Sequence, residues 1–199
     1  MKRLLKRVGR YVSLPVSSLH LLAYALAPSR AAIDVDLEVW MREHELHGST
    51  VVLGLHTMLV EHQEFRNLFY YRVRSWSYLL RVIYPPLPTL RLNAKEIGPG
   101  LFIQHGEGAR INGERIGAYC WVNQQVTIGY SNKTDRPVLH DHVRVGPGAR
   151  TFGAVTIGEG TTVGANAVIV KDVPARCTVV GVYPAYIVRE NGQRVNRKL

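Results

Sequence analysis

The sequence predicts a mainly β fold: a parallel β-helix of hexapeptide repeats behind an N-terminal α-helical region. Three observations carry that expectation. Leu139, Val145, Thr151, Ile157, Val163 and Ile169 recur six residues apart. Four residues after each stands an apolar or small partner, namely Val143, Ala149, Val155, Thr161, Ala167 and Val173. Glycine follows the register residue at Gly146, Gly158 and Gly164. A beat of about six is the signature of hexapeptide coils. Each hexad supplies one short strand and one corner. The register residue points inward, the partner shares the interior, and glycine suits a corner that needs positive φ or close backbone approach. An amphipathic helix would repeat at about 3.6 residues and a half-buried strand at about 2.

The same register continues upstream with breaks. Ile116, Val122 and Ile128 keep it, with Cys120 and Val126 as partners, and Ile97 and Ile103 keep it again. Seven residues, in place of six, separate Ala109 from Ile116. Eleven separate Ile128 from Leu139. A loop of about five extra residues should therefore protrude there, a candidate for function because the repeat does not need it.

Composition sets the frame. The 199 residues are 46% hydrophobic and 20% charged, ordinary for a soluble chain long enough to bury a core. The net charge of +10 is concentrated at the ends: Met1–Arg10 carries +5 and residues 189–199 carry +3. Basic ends suit an anionic surface, a membrane or an acidic glycan, or serve solubility alone. Cys120 falls on an interior position and Cys177 near a corner, so no disulfide framework is expected and a reducing cytoplasm is compatible.

The expected layout is a helical region over 1–94, a β-helix domain over 95–188 and a frayed basic tail over 189–199. Met1, Leu4, Leu5, Val8, Tyr11 and Val12 follow helical spacing opposite five cations, a basic amphipathic helix that Pro15 should end. Val16–Ala27 is apolar but twelve residues long, short of the roughly 20 that span a bilayer. It suits a peripheral membrane contact or burial in the domain or an oligomer. Ser29 should cap a helix running towards Leu46 and stopped by Gly48; Ser49 or Thr50 should start another through Val60. A single helix over Glu61–Ile83 should place Phe65, Leu68, Phe69, Arg72, Trp76 and Leu79 near one side. Pro85, Pro86 and Pro88 make a stiff link to the first coil. His44 and His47 have the helical spacing of a metal pair or of two solvated histidines.

Four runs then resemble a known family. They are Ile103-Gln104-His105-Gly106-Glu107-Gly108, Gln124-Gln125-Val126-Thr127-Ile128-Gly129, Asp135-Arg136-Pro137, and the exit Gly181-Val182-Tyr183-Pro184-Ala185. Together they resemble the serine acetyltransferase branch of the left-handed β-helix acyltransferases, and the short helical preface is similar to that of capsule and exopolysaccharide O-acetyltransferases. The resemblance implies transfer of acetyl from acetyl-CoA to a hydroxyl, with His105 as general base; an imidazole titrating near neutrality fits that task. Backbone amides at a corner would stabilise the oxyanion. In the family a second histidine precedes the loop proline, and His140 or His142, expected side by side on an outward strand face, would replace it here. Leu90 stands where the family carries an aspartate, and Gln104 where it carries another.

The resemblance further implies substrate contacts from Gln104, Glu107, Asp135 and Arg136. The coenzyme would lie along a groove of small corner residues, Gly153, Ala154, Gly164 and Ala165, with Lys171 or Arg176 on a phosphate. With the two aspartates absent, the expected acceptor is a sugar or glycan precursor, with serine as the alternative. A scaffold or a three-histidine metal site formed by His105, His140 and His142 is the remaining reading; no metal is expected on the acetyltransferase reading. A homotrimer, extending to a dimer of trimers, is expected, without nucleic acid. The expected location is the cytoplasm, with peripheral contact at the inner membrane face.

Overall fold

The computed structural model describes residues 13–132 and 134–181, and the backbone alone over 186–190 and 193–198. The expected basic helix over Met1–Val12 and most of the exit run lie outside the described residues.

The coil is a left-handed, three-faced parallel β-helix of about five turns. The first face stacks Arg91–Leu92, Arg110–Ile111, Thr127–Gly129, Arg150–Phe152 and Val168–Ile169. The second stacks Glu96–Ile97, Arg115–Ile116, Val138–Leu139 and Thr156–Ile157, and Val173 bridges to Ile157 below them. The third stacks Phe102–Ile103, Trp121–Val122, Arg144–Val145, Thr162–Val163 and Thr178–Val179. Every inter-coil pairing is parallel and keeps the sequence register: Ile97, Ile116, Leu139 and Ile157 align on one face, and Ile103, Val122, Val145 and Val163 on another. These residues and the partners Cys120, Val126, Val143, Ala149 and Ala167 are buried, forming one apolar column. The glycines after the register residues are there for close approach and not for φ. A Cβ on Gly158 would lie 2.3 Å from the Ala175 nitrogen, and one on Gly146 2.8 Å from that of Ala165.

One register assignment changes. Ala109 is not a register residue; Arg110–Ile111 pairs with Thr127–Ile128, so Ile111 holds the register and Ala109 is its buried partner. Eight residues thus separate Ile103 from Ile111, whereas six separate Val122 from Ile128 and Val145 from Thr151. The extra length falls on the corner that carries His105. Ala109 obscures this in the sequence because its size suits either position.

Helices α1 (Ser18–Leu26), α2 (Arg30–Glu43), α3 (Val51–Glu61), α4 (Gln63–Val73) and α5 (Ser77–Ile83) precede the coil. Pro15 lies at the start of a 3-10 turn over Leu14–Ser17, where its missing N–H leaves no bond unmade. Thr50 caps α3 by accepting from the Leu53 N–H. Ser29 precedes α2 without capping it, because its hydroxyl donates to the Arg72 carbonyl instead. The expected single helix over 61–83 is broken at Arg74, whose φ of 46° leaves the helical basin. The α5 axis therefore turns away, and Leu79, expected on the buried side, is 55% exposed.

Trp40, Asp36 and Arg72 help fix the helices on the first coil. Trp40 Nε1 donates to the Leu101 carbonyl at 2.9 Å. Buried Asp36 accepts from Arg72 Nε at 2.8 Å and from the Gly100 N–H at 2.6 Å. Arg72 also donates to the carbonyls of Ile97 and Gly98. Asn67 brackets the proline link by bonding Leu87 and Leu90 backbone groups. Helices and coil thus share one core.

The tail expected to fray is instead an antiparallel pair, Tyr186–Glu190 with Gln193–Lys198. The missed signal is Asn191-Gly192, a dipeptide that favours a two-residue hairpin connection.

Candidate active site

His105 sits on the edge between the third and first faces, in the enlarged corner of the first coil. Its φ is 52°, in the left-handed region that histidine enters more readily than bulkier or branched residues. The ring is exposed on the prism edge, away from the apolar column.

Two neighbouring features hold that corner. Gln104 Oε1 accepts from Trp121 Nε1 at 3.2 Å, tying the residue before His105 to the next coil. On the other side, the Gly106 N–H donates to Glu64 Oε1 at 3.3 Å. Glu64 lies in the first turn of α4, where a carboxylate complements the helix dipole. A Cβ added to Gly106 would meet Glu64 Cγ at 3.0 Å and Leu90 Cδ2 at 3.1 Å, so the corner is pressed against both. Leu90 is buried beneath it and serves as apolar packing. The carboxylate that braces the Gly106 peptide therefore comes from the helical region. The sequence alone did not single out Glu64, because its approach depends on how α4 docks.

Behind this corner the helices add an aromatic wall. Phe102 lies 4.8 Å from Trp40 and 4.6 Å from Trp121, centroid to centroid. The rings of His44 and His62 lie 3.8 Å apart, tilted by 32°, next to Trp40. His44 therefore meets His62, not His47 as helical spacing suggested. Partial burial lowers the His44 pKa, against the Glu64, Glu43 and Glu61 carboxylates, which raise it.

His140 and His142 are not two residues of one straight strand. His140 follows Val138–Leu139, and His142 occupies the next corner with φ 59°. Both are exposed on the edge between the second and third faces, and the His142 ring stacks on Tyr119 at 5.2 Å and 7°. His105 is on a different edge, so the three expected histidines do not converge within one chain. Among the described residues no group of three or more His, Cys, Asp or Glu side chains is disposed to hold a metal ion.

The protruding loop lies on the third edge, between Thr127–Gly129 and Val138–Leu139. Asp135 organises it, accepting from the Ser131 hydroxyl and the Ser131 and Asn132 N–H groups. The Ser131 hydroxyl and the backbone donors hold its carboxyl below the usual range. Arg136 lies over the Tyr130 ring at 5.6 Å and reaches the Asn93 carbonyl at 3.5 Å.

The expected coenzyme residues are divided in the same way. Gly153, Ala154 and Lys171 share the loop edge, and the Asp135 carboxylate would lie 3.7 Å from a Cβ on Gly153. Gly164 and Ala165 share the His105 edge, together with exposed Glu107. They stand three coils below His105, about 14 Å along the prism at the usual strand spacing. Arg176 is exposed on the edge of His142. One chain thus offers a histidine edge, a loop edge and a Tyr119–His142 edge, each incomplete alone. A cavity of about 290 Å³ at the proline link, lined by Asn67, Tyr71, Arg81, Leu87 and Arg91, does not include His105.

A five-turn left-handed coil of six-residue repeats is the fold of the β-helix acyltransferases. No family model matches the chain. It is 37% identical over 159 residues to the serine acetyltransferase of Synechococcus elongatus, across 72% of this chain and 64% of that protein. It is 35% identical over 159 residues to that of Bacillus pumilus, across 73% of this chain and 69% of that protein. The soybean serine acetyltransferase complexed with serine superposes with a TM-score of 0.63 at 26% identity, across 91% of this chain and 74% of that one. The chain belongs to the serine acetyltransferase family. It spans just under two thirds of the Synechococcus relative's length.

Proposed function

We propose that this protein transfers acetyl from acetyl-CoA to the hydroxyl of serine. The relatives' shared name favours serine over the sugar or glycan acceptor expected from the sequence. The single structural observation that carries the reading is His105, exposed at a left-handed corner between Gln104 and the Gly106–Glu64 contact.

In this reading His105 takes the hydroxyl proton as the serine oxygen adds to the thioester carbonyl. It returns that proton to the departing thiolate, so the products are O-acetylserine and the free thiol. Glu64 fixes the peptide that follows His105 by accepting the Gly106 N–H. Because Glu64 engages the Gly106 N–H, the developing oxyanion must use other donors. Exposed Ala165, beside half-buried Gly164 on the His105 edge, leaves room for an extended pantetheine arm, and exposed Lys171 and Arg176 on the other two edges offer charge to its phosphates across a subunit contact. A trimer that sets the His105 edge of one prism against the loop or Tyr119–His142 edge of its neighbour would complete the site.

A glycan hydroxyl is the second reading, favoured by neutral Gln104 where the serine enzymes carry an aspartate. Thiol release from acetyl-CoA, followed with L-serine and with a panel of sugars, separates them. Serine-dependent release supports the proposal; release with a sugar and none with serine overturns it.

A further inference from the structure

Helix α1 is turned inside out for a solvated element. Its inner face carries His20, Ala23 and Tyr24, and His20 Nε2 hydrogen-bonds the Tyr70 hydroxyl at 3.1 Å. Its outer face, with the turn before it, presents Val16, Leu19, Leu22 and Leu26, which are 53%, 36%, 46% and 61% exposed. Their spacing of three, three and four residues makes one continuous stripe. Ser18–Leu26 contains no charged residue to shield it.

The sequence leading into this stripe carries charge of one sign. The first 33 residues contain six cations, Lys2, Arg3, Lys6, Arg7, Arg10 and Arg30, and the first acidic residue of the chain is Asp34. Nine helical residues extend about 14 Å, half the hydrocarbon thickness of a bilayer. No described helix is long and apolar enough to cross a membrane. An uncharged apolar stripe joined to a cationic segment is the pattern of a helix lying in the plane of an anionic lipid surface. Pairing two copies through the stripe would bring two segments of +5 into one assembly, whereas anionic headgroups neutralise them.

We propose that α1 docks this protein on anionic lipid, with Val16, Leu19, Leu22 and Leu26 in the interfacial layer and the preceding cations on headgroups. The site chemistry plays no part in this inference. The test is co-sedimentation of the full-length chain with phosphatidylcholine vesicles, with and without phosphatidylglycerol, at low and high salt. Binding should require phosphatidylglycerol, weaken with salt and fall at least tenfold in Leu22→Ser/Leu26→Ser, whose changes lie on the surface and leave soluble acetyl transfer intact. Lys6→Glu/Arg7→Glu, which leaves the stripe untouched, should weaken binding likewise. Equal binding to both vesicles, or none, overturns the proposal. So does a Leu22→Ser/Leu26→Ser chain that binds vesicles like the parent but changes oligomeric state by light scattering, which assigns the stripe to a second copy.

Discussion

Glu64 Oε1 accepts the Gly106 N–H at 3.3 Å, so a carboxylate from the helical region braces the peptide that follows His105. The bond spans 42 residues of sequence and joins the first turn of α4 to the enlarged corner of the coil. Glu64→Ala should therefore lower kcat by about tenfold, the scale of one charge-assisted hydrogen bond at a positioned group. Glu64→Gln, which keeps the accepting oxygen, should lose less. Steady-state kinetics at saturating acetyl-CoA read both, and the KM for acetyl-CoA should stay within twofold or so of the parent, since the coenzyme edge is untouched.

Much of this geometry was legible in the sequence, and the illegible parts have physical reasons. The coil faces follow from a period that no other regular element shares, so Leu139 through Ile169 fell on the predicted register. The corner at His105 was misread because Ala109 is small enough for a register or a partner position. Glu64 was invisible because a tertiary docking brings it to Gly106. The break at Arg74 depends on one positive φ in a run that is otherwise helical in pattern. His140 and His142 looked like alternate strand residues because the strands are only two residues long, so a corner falls where a longer strand would continue.

The Asp36–Arg72 pair should matter to stability well before it matters to chemistry. Arg72 Nε lies 2.8 Å from Asp36 Oδ2, and both side chains are buried. Burial raises the Asp36 pKa, while Arg72 and the Gly100 and Leu101 N–H groups oppose that rise. Removing one partner leaves the other charge buried and unpaired. Arg72→Ala or Asp36→Ala should each cost about 3–5 kcal/mol. Chemical denaturation measures the loss, and the double variant should be less destabilised than the sum of the two.

His20 should make the fold acid-sensitive. Burial, then the nearby Arg66 guanidinium, lowers its pKa from 6.5 to about 4. Nε2 meets the Tyr70 hydroxyl, and Nδ1 is buried with no partner, so a second ring proton would have no acceptor. The folded chain keeps the ring neutral where the unfolded chain protonates it. Protonation of His20 should thus leave stability unchanged above about pH 6.5, and stability should fall as pH drops from there to about 4, by roughly 3 kcal/mol in all. Unfolding midpoints of the parent and His20→Gln across that range test this; the variant's profile should be flatter by that amount.

The most direct test of the proposed chemistry is serine-dependent thiol release by His105→Ala at saturating acetyl-CoA, with the thermal midpoint measured alongside. The side chain is exposed on the prism edge, so the midpoint should not fall, while turnover should drop by about 100-fold or more. Undiminished turnover in a folded His105→Ala protein would contradict the assignment of this histidine as the base.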